Sequence, residues 1–270
     1  MKAEVSVIVP TYNSAKTLDI CLRSVNEQSY PNIEIIVVDN ESTDNTREIA
    51  EKYGKVFIKG PERSAQRNFG ARQSIGQYLV FLDSDISLTP TVIEACMKKV
   101  EEGYDAVIFR EITVGKGFLA KCRELESRCV IGDDYIESPR FCKAWIFHEV
   151  NGYDEDLCGW EDWDLAQKFR QRGFKVARVK PLTRHHEGKV SLTYRLKKKY
   201  YYGKTVNKYL QKNMNISLKQ FPVFRSAYFR NGKLLARYPM HAAGLFVMKV
   251  LEAIAVALGG IISELEVSAR

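Results

Sequence analysis

Asp83, Ser84 and Asp85 close an apolar run, Tyr78 to Leu82, and set two carboxylates two residues apart. Such a pair can share one hard cation. Mg2+ or Mn2+ keeps most of its shell as water and phosphate oxygen, so one or two protein carboxylates suffice to hold it. The ion would act as a Lewis acid toward charge developing on a departing diphosphate. The same triplet also suits a plain polar turn, or a cap for the helix that follows Pro90. Arg63 and Arg67 can meet phosphate oxygens in fork geometry, or belong to a solvated helix face. Glu161 and Asp162 begin a predicted helix after Gly159 and Trp160. Acids there favour the helix dipole and cap the first turn. His185 and His186, beside Glu187, are either metal-capable imidazoles or surface histidines.

The elements that must position these residues are legible as apolar runs and helical periods. Val5–Val9 reads as a buried strand closed by Pro10, followed by the polar loop TYNSAKT and a helix with Leu18, Cys21, Leu22 and Val25 on one face. Ile33–Val38, the loop DNESTDN and the helix TREIAEKY, stopped by Gly54, repeat that grammar. Val56–Lys59 is a third strand, SAQRNFGARQSIG a helix carrying Asn68 and Gly70, and Tyr78–Leu82 a fourth strand. Continuously apolar strands alternating with helices imply a parallel sheet covered on both faces. Ligands of such sheets bind beyond the carboxyl ends of the strands, where Thr11–Asn13, Asp39–Asp44 and Asp83–Asp85 collect. A helix to about Glu102, the strand Ala106–Phe109, a less regular stretch to about Ile136, a strand around Ala144, a helix Glu161–Arg172 and a last strand ending near Val179 complete this part. Beyond Leu192 the pattern is helical.

The 270 residues carry a net charge of +8, which suits an anionic partner. The charge is unevenly placed: residues 149–164 hold seven acids and no base, whereas residues 195–208 are rich in Lys and Arg with no acid. No RNA- or DNA-binding motif accompanies the basic run, so nucleic acid is not the expected partner. Six scattered cysteines without a CxxC pair read as reduced thiols in a cytosolic protein, and the amino-terminal residues show no secretory leader. From Gly244 to Ile262 the chain is nearly apolar, interrupted by Lys249 and Glu252. Central charges are expensive in a bilayer, so the stretch is expected to be an interfacial or docking helix rather than a span. With Lys197–Lys199 and Tyr200–Tyr202 it suggests a surface for anionic lipid headgroups, and hence a peripheral position at the inner, cytoplasmic face of the cell membrane.

The segments VSVIVPTYNSAKTLDICLRSV, IEIIVVDNESTDNT, AQRNFGA, YLVFLDSD and GYDEDLCGWEDWDLAQKFRQRGFKV resemble, in this order, the motif series of the family 2 glycosyltransferases. The resemblance covers about residues 4–190. It implies an α/β fold of the GT-A type, a Rossmann-like, mostly parallel sheet flanked by helices, with a C-terminal helical appendage. The implied catalytic domain is residues 1–190, its nucleotide-sugar half about 1–110 and its acceptor half about 111–190; residues 191–270 form the helical region. The resemblance assigns the nucleotide base to Pro10, Thr11, Tyr12 and Asp39, with Asn13 and Asn40 in the same loops. It assigns the donor diphosphate to the neighbourhood of Arg63, Gln66, Arg67 and Asn68, and the metal motif to Asp83, Ser84 and Asp85. Glu161 and Asp162 match the Glu-Asp signature in which the aspartate is the base that removes the acceptor hydroxyl's proton. Trp160 and Trp163 flank that pair and either stack on sugar or belong to the core. Either His185 or His186 would complete the shell of the Mn2+ or Mg2+ ion.

The expected activity is inverting transfer of a sugar from a nucleotide diphosphate donor, UDP-sugar before GDP- or dTDP-sugar, to a hydroxyl of a lipid-linked or membrane-associated glycan. Transfer to a polyprenyl phosphate is the near alternative, though an ionised phosphate needs no general base. A catalytically inactive nucleotide-binding membrane adaptor is the non-enzymatic alternative. A sugar-nucleotide pyrophosphorylase would need a glycine-rich loop after the first strand, and VIVPTYNSAKT has no glycine; the lack of GxGxxG likewise argues against a dinucleotide oxidoreductase.

Overall fold

The computed structural model describes residues 4–221 and 225–268. Residues 1–3, part of the segment read for a leader, lie outside it. In chain order the described elements are β1 (Val5–Thr11), α1 (Ala15–Asn26), β2 (Ile33–Asp39), α2 (Thr46–Ala50), β3 (Lys55–Ile58), α3 (Arg63–Gln73), β4 (Tyr78–Phe81) and β5 (Ile86–Leu88). There follow α4 (Val92–Glu101), β6 (Ala106–Lys116), α5 (Phe118–Val130), β7 (Phe141–Lys143), α6 (Ala144–Glu149), α7 (Glu161–Gln171) and β8 (Val176–Lys189). The rest is helical: α8 (Leu192–Gly203), α9 (Val206–Lys212), α10 (Met214–Gln220), α11 (Ser226–Arg230), α12 (Gly232–Arg237) and α13 (Pro239–Ser268).

Two compact units share the chain in segments. The first comprises Met1–Glu111, Ser138–Glu155 and Leu165–His186, the second Ile112–Glu137, Asp156–Asp164 and Glu187–Arg270. The eight strands run in the order β3-β2-β1-β4-β7-β6-β8-β5. The β1, β2, β3 and β4 ladders are parallel, in keeping with the largely apolar runs of β1, β2 and β4, and the sheet then turns mixed: β4 with β7, β7 with β6, and β8 with β5 are antiparallel.

Both faces of the parallel half are buried. Val5, Val7 and Val9 pack with Leu18, Leu22 and Val25 of α1, whereas Ile8, Ile36 and Val38 pack with Ala71 of α3 and with Phe147 and Phe169. Each such side chain contributes about 1.5–3 kcal/mol relative to exposure. Helix α3 lies very close to the sheet because Gly70 has no side chain: a Cβ there would meet Ile8 Cγ2 at 2.5 Å.

Three local expectations are corrected. Ala144 opens helix α6 instead of sitting within a strand, because β7 ends at Lys143 and AWIFHE continues as a helical turn. The stretch expected to be irregular contains the far end of β6 and all of α5, joined at Gly117 with φ 89°. The final strand runs on to Lys189, so His185 and His186 lie within it and not after it. The three-residue strand β5, directly after the Asp83–Asp85 triplet, is what pairs with it.

In the second unit α13 packs on α8 at a crossing of glycines: a Cβ on Gly203 would meet Val256 O at 2.2 Å, and one on Gly259 would meet Tyr200 O at 2.1 Å. Residues Pro239–Glu266 of α13 are long and apolar enough to cross a membrane by length and composition. Lys249 and Glu252 pair with each other at 2.8 Å on its inner side. Its outer side exposes Val247, Val250, Ile254, Leu258, Ile261 and Leu265 at helical spacing.

Candidate active site

The carboxyl ends of β1 and β2 are in register, Thr11 opposite Asp39. Asp39 is fully buried, and its carboxylate accepts from Thr11 Oγ1 (2.8 Å), Ser42 Oγ (2.5 Å) and the Ser42 amide (2.8 Å). Hydrogen bonds to a charged acceptor contribute about 1.5–3 kcal/mol each, so Asp39 ties the two loops into one rim. Gln66, reaching from α3, donates to the carbonyls of Thr11 (2.9 Å) and Val38 (2.6 Å). Asn13 takes a left-handed backbone (φ 48°), donates its amide to Ser42 Oγ and accepts from the Thr43 amide. Asn40 donates to the Pro61 carbonyl at 3.0 Å. Pro10 is buried within β1, whereas Tyr12 stands 62% exposed beside this rim.

Asp83 leaves β4 into a clamp of arginines. Its Oδ1 lies 2.5 Å from Arg67 Nη2 and its Oδ2 3.3 Å from Arg140 Nη2. Arg67 is fully buried and lies over the Tyr153 ring at 5.0 Å. Burial disfavours the Asp83 carboxylate, but the charges of Arg140, Arg67 and Arg63 outweigh it and hold the carboxyl well below its usual range. Asn68, next along α3, serves the neighbouring loop: its side chain donates to Tyr153 O and Glu155 and accepts from the Tyr153 amide, each at 2.9 Å. Ser84 donates to Ser14 Oγ at 2.9 Å.

Asp85 faces the other way. The antiparallel register of β5 and β8 sets Ile86 opposite His185, which brings His185 Nε2 to 3.2 Å from Asp85 Oδ2. Glu111, from β6, holds His185 Nδ1 at 3.1 Å. Burial disfavours the imidazolium, yet the hydrogen bonds and charges of Asp85 and Glu111 raise the His185 pKa to about 10. His186 projects differently and meets Ser87 Oγ at 2.8 Å; burial, then the charges of His185 and Arg184, lower its pKa.

Among the described residues no group of three or more His, Cys, Asp or Glu side chains is arranged to hold a metal ion. A divalent cation here would take the carboxylate of Asp85 and, only by displacing the Nε2 proton that faces Asp85, the imidazole of His185, the rest of the shell being water and phosphate oxygen. Both Asp83 oxygens face arginines instead. Glu161 and Asp162 form the first turn of α7, in the second unit, with Glu161 buried and Asp162 half-buried. Trp160 is 5% exposed, donates to Tyr202 O at 2.7 Å and packs against Phe221 and Trp163. Trp163 donates to Ile136 O at 3.0 Å.

Arg140 and Glu111 were not found from sequence. Arg140 lies in no motif; the backbone places it, its carbonyl accepting from Phe81 of β4 and its amide donating to Val107 of β6.

With this geometry the fold is the GT-A fold of glycosyltransferases. The mannosyltransferase PcManGT of Pyrobaculum calidifontis, solved with GDP-Man and Mn2+, superposes with a TM-score of 0.66 at 17% identity, over 97% of this chain and 88% of that one. Residues 1–349 of S. aureus TarS superpose with a TM-score of 0.56 at 17% identity, over 99% and 92%. Residues 6–129 match the model described as glycosyl transferase family 2, and residues 141–190 that described as the N-terminal domain of galactosyltransferase. Residues 6–129 thus carry a glycosyl transferase family 2 domain. Glycosyltransferase GlyA of Streptococcus pneumoniae is 35% identical over 191 residues, which are 65% of this chain and 26% of GlyA. A GalNAc(5)-diNAcBac-PP-undecaprenol beta-1,3-glucosyltransferase of Campylobacter jejuni is 30% identical over 140 residues, 46% of this chain and 45% of that enzyme. The chain thus spans less than half the length of these relatives.

Proposed function

We propose that this chain is an inverting, metal-dependent glycosyltransferase that moves a sugar from a nucleoside diphosphate, UDP first, to a hydroxyl of a lipid-linked or membrane-associated glycan. The observation that carries the reading is the division of labour in the Asp83–Asp85 triplet. Asp83 is locked by two arginines, whereas Asp85 faces His185, and its carboxylate is the candidate ligand of a divalent cation. The solved complexes of TarS with UDP-GlcNAc and of PcManGT with GDP-Man and Mn2+ support the donor class and the ion. The Campylobacter relative, named for an undecaprenol-linked substrate, supports the acceptor class.

Asp85, and His185 once its Nε2 proton is displaced, would hold Mn2+ or Mg2+, which when bound neutralises negative charge on the leaving diphosphate. The rim formed by Thr11, Tyr12 and Asp39 takes the base, and Arg63, half-buried at the start of α3, takes phosphate oxygens. Asp162 accepts the proton of the acceptor hydroxyl as its oxygen bonds to the anomeric carbon and the carbon–oxygen bond to the diphosphate breaks. The outer face of α13 and the basic run around Lys197 rest on an anionic membrane surface at the cytoplasmic side. The test is a panel of nucleotide sugars with Mn2+, scored for slow donor hydrolysis. Hydrolysis of one or two donors, abolished by chelation, is the expected result, and hydrolysis of none would refute the reading.

A further inference from the structure

The second unit contains an open cavity of about 740 Å3 with mostly apolar walls, among them Trp160, Trp163, Leu210, Phe221 and Val256. Three cations line it: Lys199, Arg225 and Lys249. Lys249 is committed to Glu126 at 3.0 Å and Glu252 at 2.8 Å. Arg225 is 3.8 Å from Glu126 and donates to Gln220 O, but its Nε is buried without a hydrogen-bond partner. Lys199 has neither a carboxylate nor a hydrogen-bond partner among the described residues; it lies over the rings of Trp160 (5.8 Å) and Tyr202 (5.4 Å). Burial, then the charge of Lys249, pulls its pKa down to about 7.

These groups belong to one buried network. Arg123, Arg195, Arg225 and Lys249 pair with Glu126, Glu187 and Glu252. With Lys199 there are five basic side chains against these three carboxylates; Lys199 shares its proton with solvent near pH 7, and the rim of the cavity adds the exposed Glu264. Holding a cation in apolar surroundings is costly, and an anionic group entering beside Lys199 and Arg225 Nε would lower that cost and favour the protonated lysine. The apolar walls would be superfluous for a small hydrophilic anion. Ile261 lines the cavity and also belongs to the exposed stripe of α13, so the apolar wall continues to the surface.

We infer that this cavity binds a single-chain lipid phosphate, its phosphate beside Lys199 and Arg225 and its chain along the apolar wall formed by α13. The inference deepens the proposed function by naming the carrier of the acceptor, and for that purpose it rests on that reading. The test titrates dodecyl phosphate, below its micellar concentration, into the full chain, following tryptophan fluorescence and heat. Dodecanol and inorganic phosphate are the controls. Saturable binding is expected, at least roughly tenfold tighter than either control and weakened roughly tenfold by Lys199→Met, the scale of one lost charge-assisted contact. Ala257→Phe, which fills the cavity from an exposed position and leaves every charge in place, should abolish it. Equal binding of dodecanol or of inorganic phosphate would overturn the inference, as would unchanged binding in either variant with a native circular-dichroism spectrum. Nucleotide binding with Mn2+ in the same samples separates the two readings. If nucleotide binds and dodecyl phosphate does not, only the cavity assignment falls; the converse overturns the donor reading and leaves the cavity standing.

Discussion

Replacing Arg67 with Met removes a fully buried guanidinium from Asp83 while keeping the aliphatic volume beside Tyr153. Removing one partner of a buried ion pair costs about 3–5 kcal/mol. Asp83 keeps Arg140 at 3.3 Å and is 19% exposed, which places the expected loss near the lower bound, about 3 kcal/mol. At ~2–4 °C per kcal/mol for domains of this size, the apparent Tm should fall by roughly 6–12 °C. The assay is thermal and urea unfolding of four proteins without metal or nucleotide: wild type, Arg67→Met, Asp83→Asn and the double variant. Asp83→Asn alone also destabilises, because it removes the carboxylate charge that lies 2.5 Å from the buried Arg67 guanidinium. The double variant should be more stable than the two single losses added together, with a coupling of about 1–3 kcal/mol. A loss below about 1 kcal/mol for Arg67→Met, or strictly additive effects, would refute the clamp.

Other expectations follow from the same geometry. Asp162→Asn should keep donor affinity and lose transfer by about 10²-fold or more, since it removes a proton acceptor without removing volume; a normal single-turnover rate would place the base elsewhere. Gly70→Ala should cost about 1–3 kcal/mol, because its Cβ meets Ile8 Cγ2 at 2.5 Å; unchanged urea unfolding would contradict the close approach of α3. Lys199→Met should change the pH dependence of stability. The unfolded chain keeps the lysine proton up to its usual 10.5, but the folded chain, with Lys249, Arg195, Arg123 and Glu252 around it, releases it near 7. The wild type therefore gains stability as pH rises from about 7 toward 10, and the variant does not. Its advantage in Tm should be largest at pH 6 and shrink by pH 9; a pH-independent difference would refute the assignment.

The parallel strands were legible because burial on both faces leaves mostly β-branched and apolar residues, as in VSVIV and IEIIVV, whose two polar members, Ser6 and Glu34, hydrogen-bond each other. The loops after them were legible because Thr11, Asp39 and Asp83 fall where such strands end. Residue pairs joined by antiparallel return strands were not. Nothing local to HHEGK says that β8 continues past Val179 and pairs with β5, so the choice of His185 over His186 as the residue facing Asp85 depends on register. Arg140 is positioned by backbone hydrogen bonds to β4 and β6 and carries no periodic signal. In α13 the spacing of Lys249 and Glu252 foretold their pairing, but their partners Glu126 and Arg195 lie more than fifty residues away in sequence.

The most direct test of the central claim is calorimetric titration of the nucleoside diphosphate selected by the donor panel, with and without Mn2+, into the wild type, Asp85→Ala and His185→Ala. The account predicts binding in the wild type that requires Mn2+, and a metal-dependent increment lost in both variants while their folds remain intact. Metal-dependent affinity equal to that of the wild type in Asp85→Ala would contradict it.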